Sequence, residues 1–453
     1  MLELKVLVTE EAAPPLVSSP AFNVAETAFT NGVLGAIGIA TGVIAARWLG
    51  PEGRGELAAI QMWPSILATV AMLGMGEAVV YFCARRPSES RRYLVTAALI
   101  ALLVMPIFAA VGYLLMPHLL SRQSPRIVQA ARMYLILLPV YAFVGLPYQL
   151  LRGVQRYRLW NVMRVIPSLL WMLVLVVVVS LRISDPPRMT ATYILLLSCA
   201  GPLLSWIVWK NAAGSPRPTA ATAREMVSFG LPSVAGTLPQ FFNLKLDQLI
   251  VTAMVAPREL GVYMAAVAWG ASIPMLSSAV ALIVSTQIAA GTSDSERSGR
   301  FGRGVRGAAW LIVAAVAVLG AATPFGVTIA FGRAFQAAII PAAILVVASG
   351  VNALNGVLEE LLRGYGRPAA TFWAESAAVA VGLPALLLLV PRAGLRGAAI
   401  ASLMGYLAGT TVLLVQSRRV ADLRLREVLD LRGFLSSIVA ALRHRPVPAL
   451  TSK

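Results

Sequence analysis

Charge and sulfur are what this sequence has least of. Only 13% of its 453 residues are Asp, Glu, Lys or Arg, and it holds 2 Cys and 2 His. A soluble globular chain carries about 25% charge, so the surface of this one is not built for water. Cys83 and Cys199 lie inside apolar runs with no metal-ligand spacing around them and read as small apolar fillers. His118 and His444 leave no histidine pair for zinc or a proton relay. A G-x-x-x-x-G-K-[ST] loop for ATP is absent, and the G-x-G-x-x-G at Gly302, Gly304 and Gly307 follows no strand. Standing among Arg300, Arg303 and Arg306, it reads as a helix entrance. Long polar loops are missing too: the longest, Lys210 to Met226 and Gly291 to Gly304, hide no aqueous domain for catalytic acids. These absences argue against an enzyme, a cofactor or a metal and for a carrier.

What is present is apolar: 58% of the residues are hydrophobic. Phe22 to Ala46 has Glu26 as its only charge, and Leu57 to Ala84 has only Glu77. Each exceeds the roughly 20 residues that cross a bilayer core. Between them lies WLGPEGRGELA (Trp48 to Ala58), where Gly50, Gly53 and Gly55 permit turn conformations, Pro51 fixes one backbone angle, and Glu52, Arg54 and Glu56 need water. The stretch predicts a tight transmembrane hairpin. Further apolar runs follow at 94 to 117, 127 to 149, 159 to 181, 189 to 209, 227 to 256, 260 to 290, 305 to 331, 335 to 362, 369 to 390 and 395 to 417. The expected fold is an all-α polytopic membrane protein of about 12 transmembrane helices; the alternating pattern of a membrane barrel is absent.

A net charge of +18 raises the question of nucleic acid, but the basic residues are spread over short loops and a tail. Arg85, Arg86, Arg91 and Arg92, then Arg152, Arg156 and Arg158, then Lys210, Arg217 and Arg224, and later loops through Arg363 and Arg367 all fall on one side. By the positive-inside rule that side, with both termini, is cytoplasmic. Residues 1–21 form an N-terminal segment whose Glu3, Glu10 and Glu11 do not suit a cleavable signal, so the first span is the insertion signal. In the tail, 418–453, Leu425, Val428, Leu429, Leu435, Val439 and Leu442 recur at helical spacing against Arg424, Arg426, Arg432 and Arg443. The pattern predicts an interfacial helix on anionic lipid of the cytoplasmic leaflet, or a partner-docking helix.

The second half repeats the first. VAPRELGVYMAA (Val255 to Ala266) echoes the hairpin turn, with Pro257 and Gly261 standing where Pro51 and Gly55 stood. LLRGVQR (Leu150 to Arg156) recurs as LLRGYGR (Leu361 to Arg367) at nearly the same interval. With six spans in each copy the repeat is parallel, which divides the chain into an N-lobe at 22–209, a cytoplasmic linker at 210–226 and a C-lobe at 227–417. The hairpin, its echo, the paired LLRG loops and the late GLRGAAIASLMGY (Gly394 to Tyr406) together resemble the polysaccharide flippases of the multidrug/oligosaccharidyl-lipid/polysaccharide exporter superfamily. The resemblance implies two six-helix lobes in a V around a central cavity, in a bacterial inner membrane. It also implies movement of a polyprenyl-diphosphate-linked glycan to the outer leaflet, polysaccharide polymerase and glycosyltransferases as partners, and H+ or Na+ as coupling ion. An ion-coupled multidrug exporter of the same fold and a non-transporting scaffold of a polysaccharide assembly complex are the alternatives.

A charge at mid-bilayer is costly, so intramembrane charges are the candidate site. Lys245 and Asp247, with Gln240 and Asn243, make QFFNLKLD the most polar mid-span segment. Either Lys245 meets a lipid diphosphate while Asp247 couples an ion or touches sugar, or each pairs with another helix. Arg164 and Arg132 either offer forked donors to the diphosphate or snorkel to the interface. Glu26, Glu77, Glu359, Glu360 and Glu375 fall in the cytoplasmic third of their spans, where pairing with Arg152, Arg164 or Arg363 would form an inner gate. Pro139, Pro147, Pro232, Pro239 and Pro274 predict kinks, and Gly35, Gly38 and Gly42 a close helix contact.

Overall fold

The computed structural model describes residues 20–273 and 294–421, and among them there is helix but no strand. The opening pair of runs forms α1 (Pro20–Ala71) and α2 (Met75–Arg85), followed by α3 (Ser90–Leu119). The fourth run is broken into α4 (Pro125–Tyr134) and α5 (Leu137–Gly153); α6 (Tyr157–Ser180) and α7 (Pro186–Asn211) complete the first half. The seventh run is broken as well, into α8 (Ala220–Asn243) and α9 (Leu246–Met254). Then come α10 (Pro257–Gly270), α11 (Asp294–Phe331), α12 (Ile339–Gly364) and α13 (Ala369–Ala421).

Eight stretches among the described residues are long and apolar enough to cross a membrane, which makes this a multi-pass membrane protein. Twelve such stretches are not reached, because the first and second runs and the last two are each joined into one stretch, the seventh run is split and the eighth lies partly outside the described residues. Pro274 and the tail helix beyond Ala421 also lie outside them, as do residues 1–19. Two of the stretches are too long for one crossing: α1, 52 residues, and α13, 53 residues, each contain one non-helical glycine. These are Gly50 (φ 67) in the predicted turn and Gly394 (φ 55) in GLRGAAIASLMGY. Positive φ favours glycine because a Cβ would crowd the backbone. Gly302, Gly304 and Gly307 fall inside α11, past its start at Asp294, and not at a helix entrance.

The described chain forms two compact units. One comprises the residues through Phe241 with Lys245–Ala268 and Val327–Ala338; the other comprises Phe242–Leu244, Trp269–Gly326 and the residues from Ile339 on. In the first unit, Ala45, Leu57, Val174, Leu175, Val178 and Met189 make one apolar core, and Trp48 Nε1 donates to the Ile183 carbonyl at 2.7 Å. Arg47 ends the first arm of α1 and donates to the carbonyls of Ile329 and Ala330, at the C-terminal end of α11 where unbonded carbonyls favour a cation. In the second unit, Phe301, Val305, Ile312, Val346, Leu358 and Leu361 are buried together.

The hairpin turn and its echo meet within the first unit. A Cβ on Gly55 would collide with the Pro257 carbonyl and lie 2.9 Å from Gly261 N; one on Gly261 would collide with the Pro51 carbonyl and lie 2.9 Å from Gly55 N. A second close approach joins Gly74 to Gly230 of α8, where a Cβ on Gly230 would lie 2.8 Å from the Leu73 carbonyl. Two expectations are corrected. A Cβ at Gly38 or Gly42 would meet nothing within 4 Å, so these glycines open space and do not seat a neighbouring helix. Cys83 is buried, but Cys199 is exposed on α7, because a membrane helix keeps apolar residues on its lipid-facing side too.

Candidate functional site

The break in the seventh run falls inside QFFNLKLD, at Leu244 and Lys245. Pro239 has already removed one hydrogen-bond donor from the last turns of α8. Asn243, the last residue of α8, is buried in the second unit, where its Nδ2 donates to Glu375 Oε2 at 2.6 Å. Glu359 of α12 shares a hydrogen bond with Glu375 of α13. Both glutamates are under 7% exposed. A hydrogen bond between two carboxyls needs a proton on at least one of them. Asn355, one turn before Glu359, continues the polar strip: its Oδ1 accepts from Thr410 Oγ1 at 2.6 Å and its Nδ2 donates to the Tyr406 carbonyl at 3.0 Å. A buried amide beside two carboxyls offers oxygen ligands and one exchangeable proton, the equipment for holding H+ or a small hard cation.

Lys245 and Asp247 lie in the first unit and differ in setting. Lys245 is half-buried at the break, in the non-helical residue that precedes α9, and its ammonium makes no ion pair among the described residues. Asp247 is buried, accepts from Tyr263 Oη at 2.6 Å and from the Gln248 backbone N–H at 2.7 Å. The premise of one continuous helix through both residues does not hold, because Lys245 precedes the helix that contains Asp247. Gln240 is half-buried on α8.

Elsewhere in the first unit Arg164 Nη2 donates to Asn31 Oδ1 at 2.6 Å, and its guanidinium lies 4.2 Å from the centre of the Trp160 ring. Arg132 donates Nε to the Tyr113 carbonyl at 2.9 Å and stacks on that ring at 4.2 Å. Of the five glutamates read as gate charges, Glu77 pairs with Arg152 at 3.5 Å and, in the second unit, Glu360 pairs with Arg363 at 2.8 Å. Glu26 is half-buried and forms no ion pair among the described residues. Glu359 and Glu375 turn to each other. Between spans, Arg86 bonds Tyr93 Oη at 2.7 Å and Glu225 at 3.4 Å, while Tyr81 stacks on Phe229 with ring centres 4.3 Å apart. The Tyr93 contact, followed by Glu225, makes the Arg86 guanidinium hold its proton more tightly. Among the described residues no group of three His, Cys, Asp or Glu side chains is placed to hold a metal.

The family model described as polysaccharide biosynthesis protein matches residues 23–286. The chain belongs to that family. No curated protein matches it by sequence. Solved structures match over nearly its whole length. The lipid II flippase MurJ in an inward closed conformation is 12% identical, with 93% of each chain covered and a TM-score of 0.75. An inward-facing multidrug resistance MATE family transporter of the MOP superfamily is 17% identical over 86% of this chain and 95% of its own, with a TM-score of 0.67. A MOP superfamily transporter from Pyrococcus furiosus, whose title describes reverse polarity of its binding pocket, is 15% identical over 91% and 99%, with a TM-score of 0.61. At these identities the likeness is one of fold: this polysaccharide biosynthesis protein has the architecture of membrane flippases and exporters.

Proposed function

We propose that the protein is a flippase that carries a polyprenyl-diphosphate-linked oligosaccharide from the cytoplasmic to the outer leaflet of a bacterial inner membrane by alternating access. Both termini are then cytoplasmic, and the glycan serves exopolysaccharide, capsule or O-antigen synthesis. The observation that carries transport is the buried acid pair Glu359 and Glu375 held by Asn243. A structural protein gains little from a proton shared between buried carboxyls, whereas a carrier needs a group whose charge changes as it cycles. Membership of a polysaccharide biosynthesis family supports a glycan cargo, and the Lys245 ammonium, without an ion pair among the described residues, and the forks of Arg164 suit a diphosphate. Loading the acid pair with H+ or Na+ couples the cycle to an ion gradient.

The test is flipping of a lipid-linked glycan in reconstituted vesicles, wild type against Lys245→Ala and Glu375→Gln. Under this reading Lys245→Ala loses transport and Glu375→Gln loses the response of transport to the ion gradient. The acid pair also favours one second reading, an ion-coupled exporter of cationic drugs. Vesicles that flip no such lipid but export a cationic dye would establish the second and overturn the first.

A further inference from the structure

The broken fourth run leaves a groove that the transport cycle above does not use. Between α4 and α5 the chain leaves helical bonding at Leu135 and Ile136, whose amides reach back only to Arg132 and Met133 carbonyls at 3.2 Å. Opposite the break α3 carries Pro106, so neither wall is filled by a regular helix face. The result is a cavity of about 420 Å³ lined by Pro106, Ala109, Tyr113, Leu135, Pro139 and Arg132. Its flanks are the outward-facing side chains Leu103, Ile107, Leu114 and Met133, each more than 60% exposed, so its mouth opens to lipid.

Arg132 is the only charge in this lining. It lies seven residues into a helix that starts at Pro125, about 10 Å below the polar turn at 1.5 Å per residue, which is the depth of the headgroup boundary. Tyr113 fixes it from both sides: the Tyr113 carbonyl accepts Nε and the ring supports the guanidinium plane. Both Nη groups are left without an acceptor among the described residues. From there the groove descends between Pro106 and Pro139 into hydrocarbon depth. A cationic fork at the interface above an apolar slot complements a lipid that is anionic at the top and aliphatic below.

We infer that this groove is a binding site for an anionic phospholipid of the leaflet opposite the Leu150 to Arg156 loop, its phosphate on Arg132 and one acyl chain between α3 and the α4–α5 break. The slot has the volume of a single small-ligand pocket, which suits one acyl chain rather than a long isoprenoid tail, so the occupant is a resident lipid and not the cargo. The site does not depend on the transport reading.

The experiment is native mass spectrometry of the full-length protein in detergent, titrated with phosphatidylglycerol, phosphatidylcholine, glycerol phosphate and undecaprenyl phosphate. Wild type should retain phosphatidylglycerol about tenfold better than phosphatidylcholine, the worth of a charge-assisted hydrogen bond. Arg132→Gln should erase that preference, Arg132→Lys should restore part of it, and Ala109→Trp should exclude both lipids. Arg188→Gln, at the surface pair with Asp185, is the folding control and should bind as wild type. Equal retention of the two phospholipids by wild type, or an undiminished preference in Arg132→Gln, overturns the site. Competition by glycerol phosphate would make it a headgroup contact without a chain slot, and displacement by undecaprenyl phosphate at equal concentration would make it a cargo site; either result overturns the assignment.

Discussion

Gly55 and Gly261, matched positions of the two sequence echoes, pack backbone to backbone: a Cβ on either would collide with the carbonyl of the other's proline and lie 2.9 Å from the other's N. The repeat inferred from Pro51 and Pro257 is thereby also a contact, reciprocal in the way a two-fold relation requires. Replacing Gly261 by Leu should push the pair apart. We expect transport to fall sharply with membrane expression retained, and spin labels at Glu52 and Arg258 to report a longer distance. Because the added Cβ meets backbone and not a flexible side chain, the cost exceeds the about 1 to 3 kcal/mol of side-chain overpacking, and the distance is read on the folded fraction.

Glu375→Gln keeps the hydrogen bond from Asn243 but ends proton exchange. Vesicles loaded with an opposing pH or Na+ gradient should show transport that ignores the gradient. Asn243→Ala should instead lower thermal stability, by about 1 to 3 kcal/mol for an unsatisfied buried acceptor. If Glu375→Gln responds to the gradient as wild type does, the acid pair is not the coupling group.

Asp247 is set for structure. Tyr263→Phe and Asp247→Asn should each destabilise by about 1 to 3 kcal/mol, and the double variant by less than their sum, because both remove one bond. Transport rates corrected for folded protein should stay within twofold of wild type. A large loss of transport without loss of stability would return Asp247 to the cargo path.

The Glu77 and Arg152 pair is half-exposed, so its contribution to stability is about 0 to 1 kcal/mol. If it serves as a gate, reversing either charge alone should impair flipping and the double exchange Glu77→Arg with Arg152→Glu should recover it. Melting temperatures of all three should stay close to wild type. Unimpaired single variants would remove the pair from the gate.

The hairpin was legible because its signals are local: a glycine and a proline in sequence between two apolar runs. Gly50 takes the positive φ that such a turn needs, and Gly394 does the same in the later motif. The broken seventh run was not legible, since Leu244 and Lys245 carry no breaker, and the bonds that flank the break, Asn243 to Glu375 and Tyr263 to Asp247, join residues far apart in the chain or on another helix. Glu359 and Glu375 were visible as costly charges, but a charge in a span suggests a cation as partner. That two acids would share a proton depends on which faces of α12 and α13 meet, and no spacing along the chain encodes it. Asn355 and Thr410 escaped notice for the same reason, although an asparagine in an apolar run is a signal in itself.

Gly74 combines two demands that otherwise meet, among the described glycines, only at Gly214. Its φ of 74 disfavours any side chain, and the Gly230 carbonyl excludes even a methyl group. Gly50 and Gly394 share only the first demand, with nothing within 4 Å, so asparagine is tolerable there. A contact made of backbone against backbone offers no graded series of replacements through which drift can proceed. Saturation mutagenesis should therefore show position 74 as all-or-nothing, with recovery only through a change elsewhere in α8, while the two open turns accept a short list of substitutes.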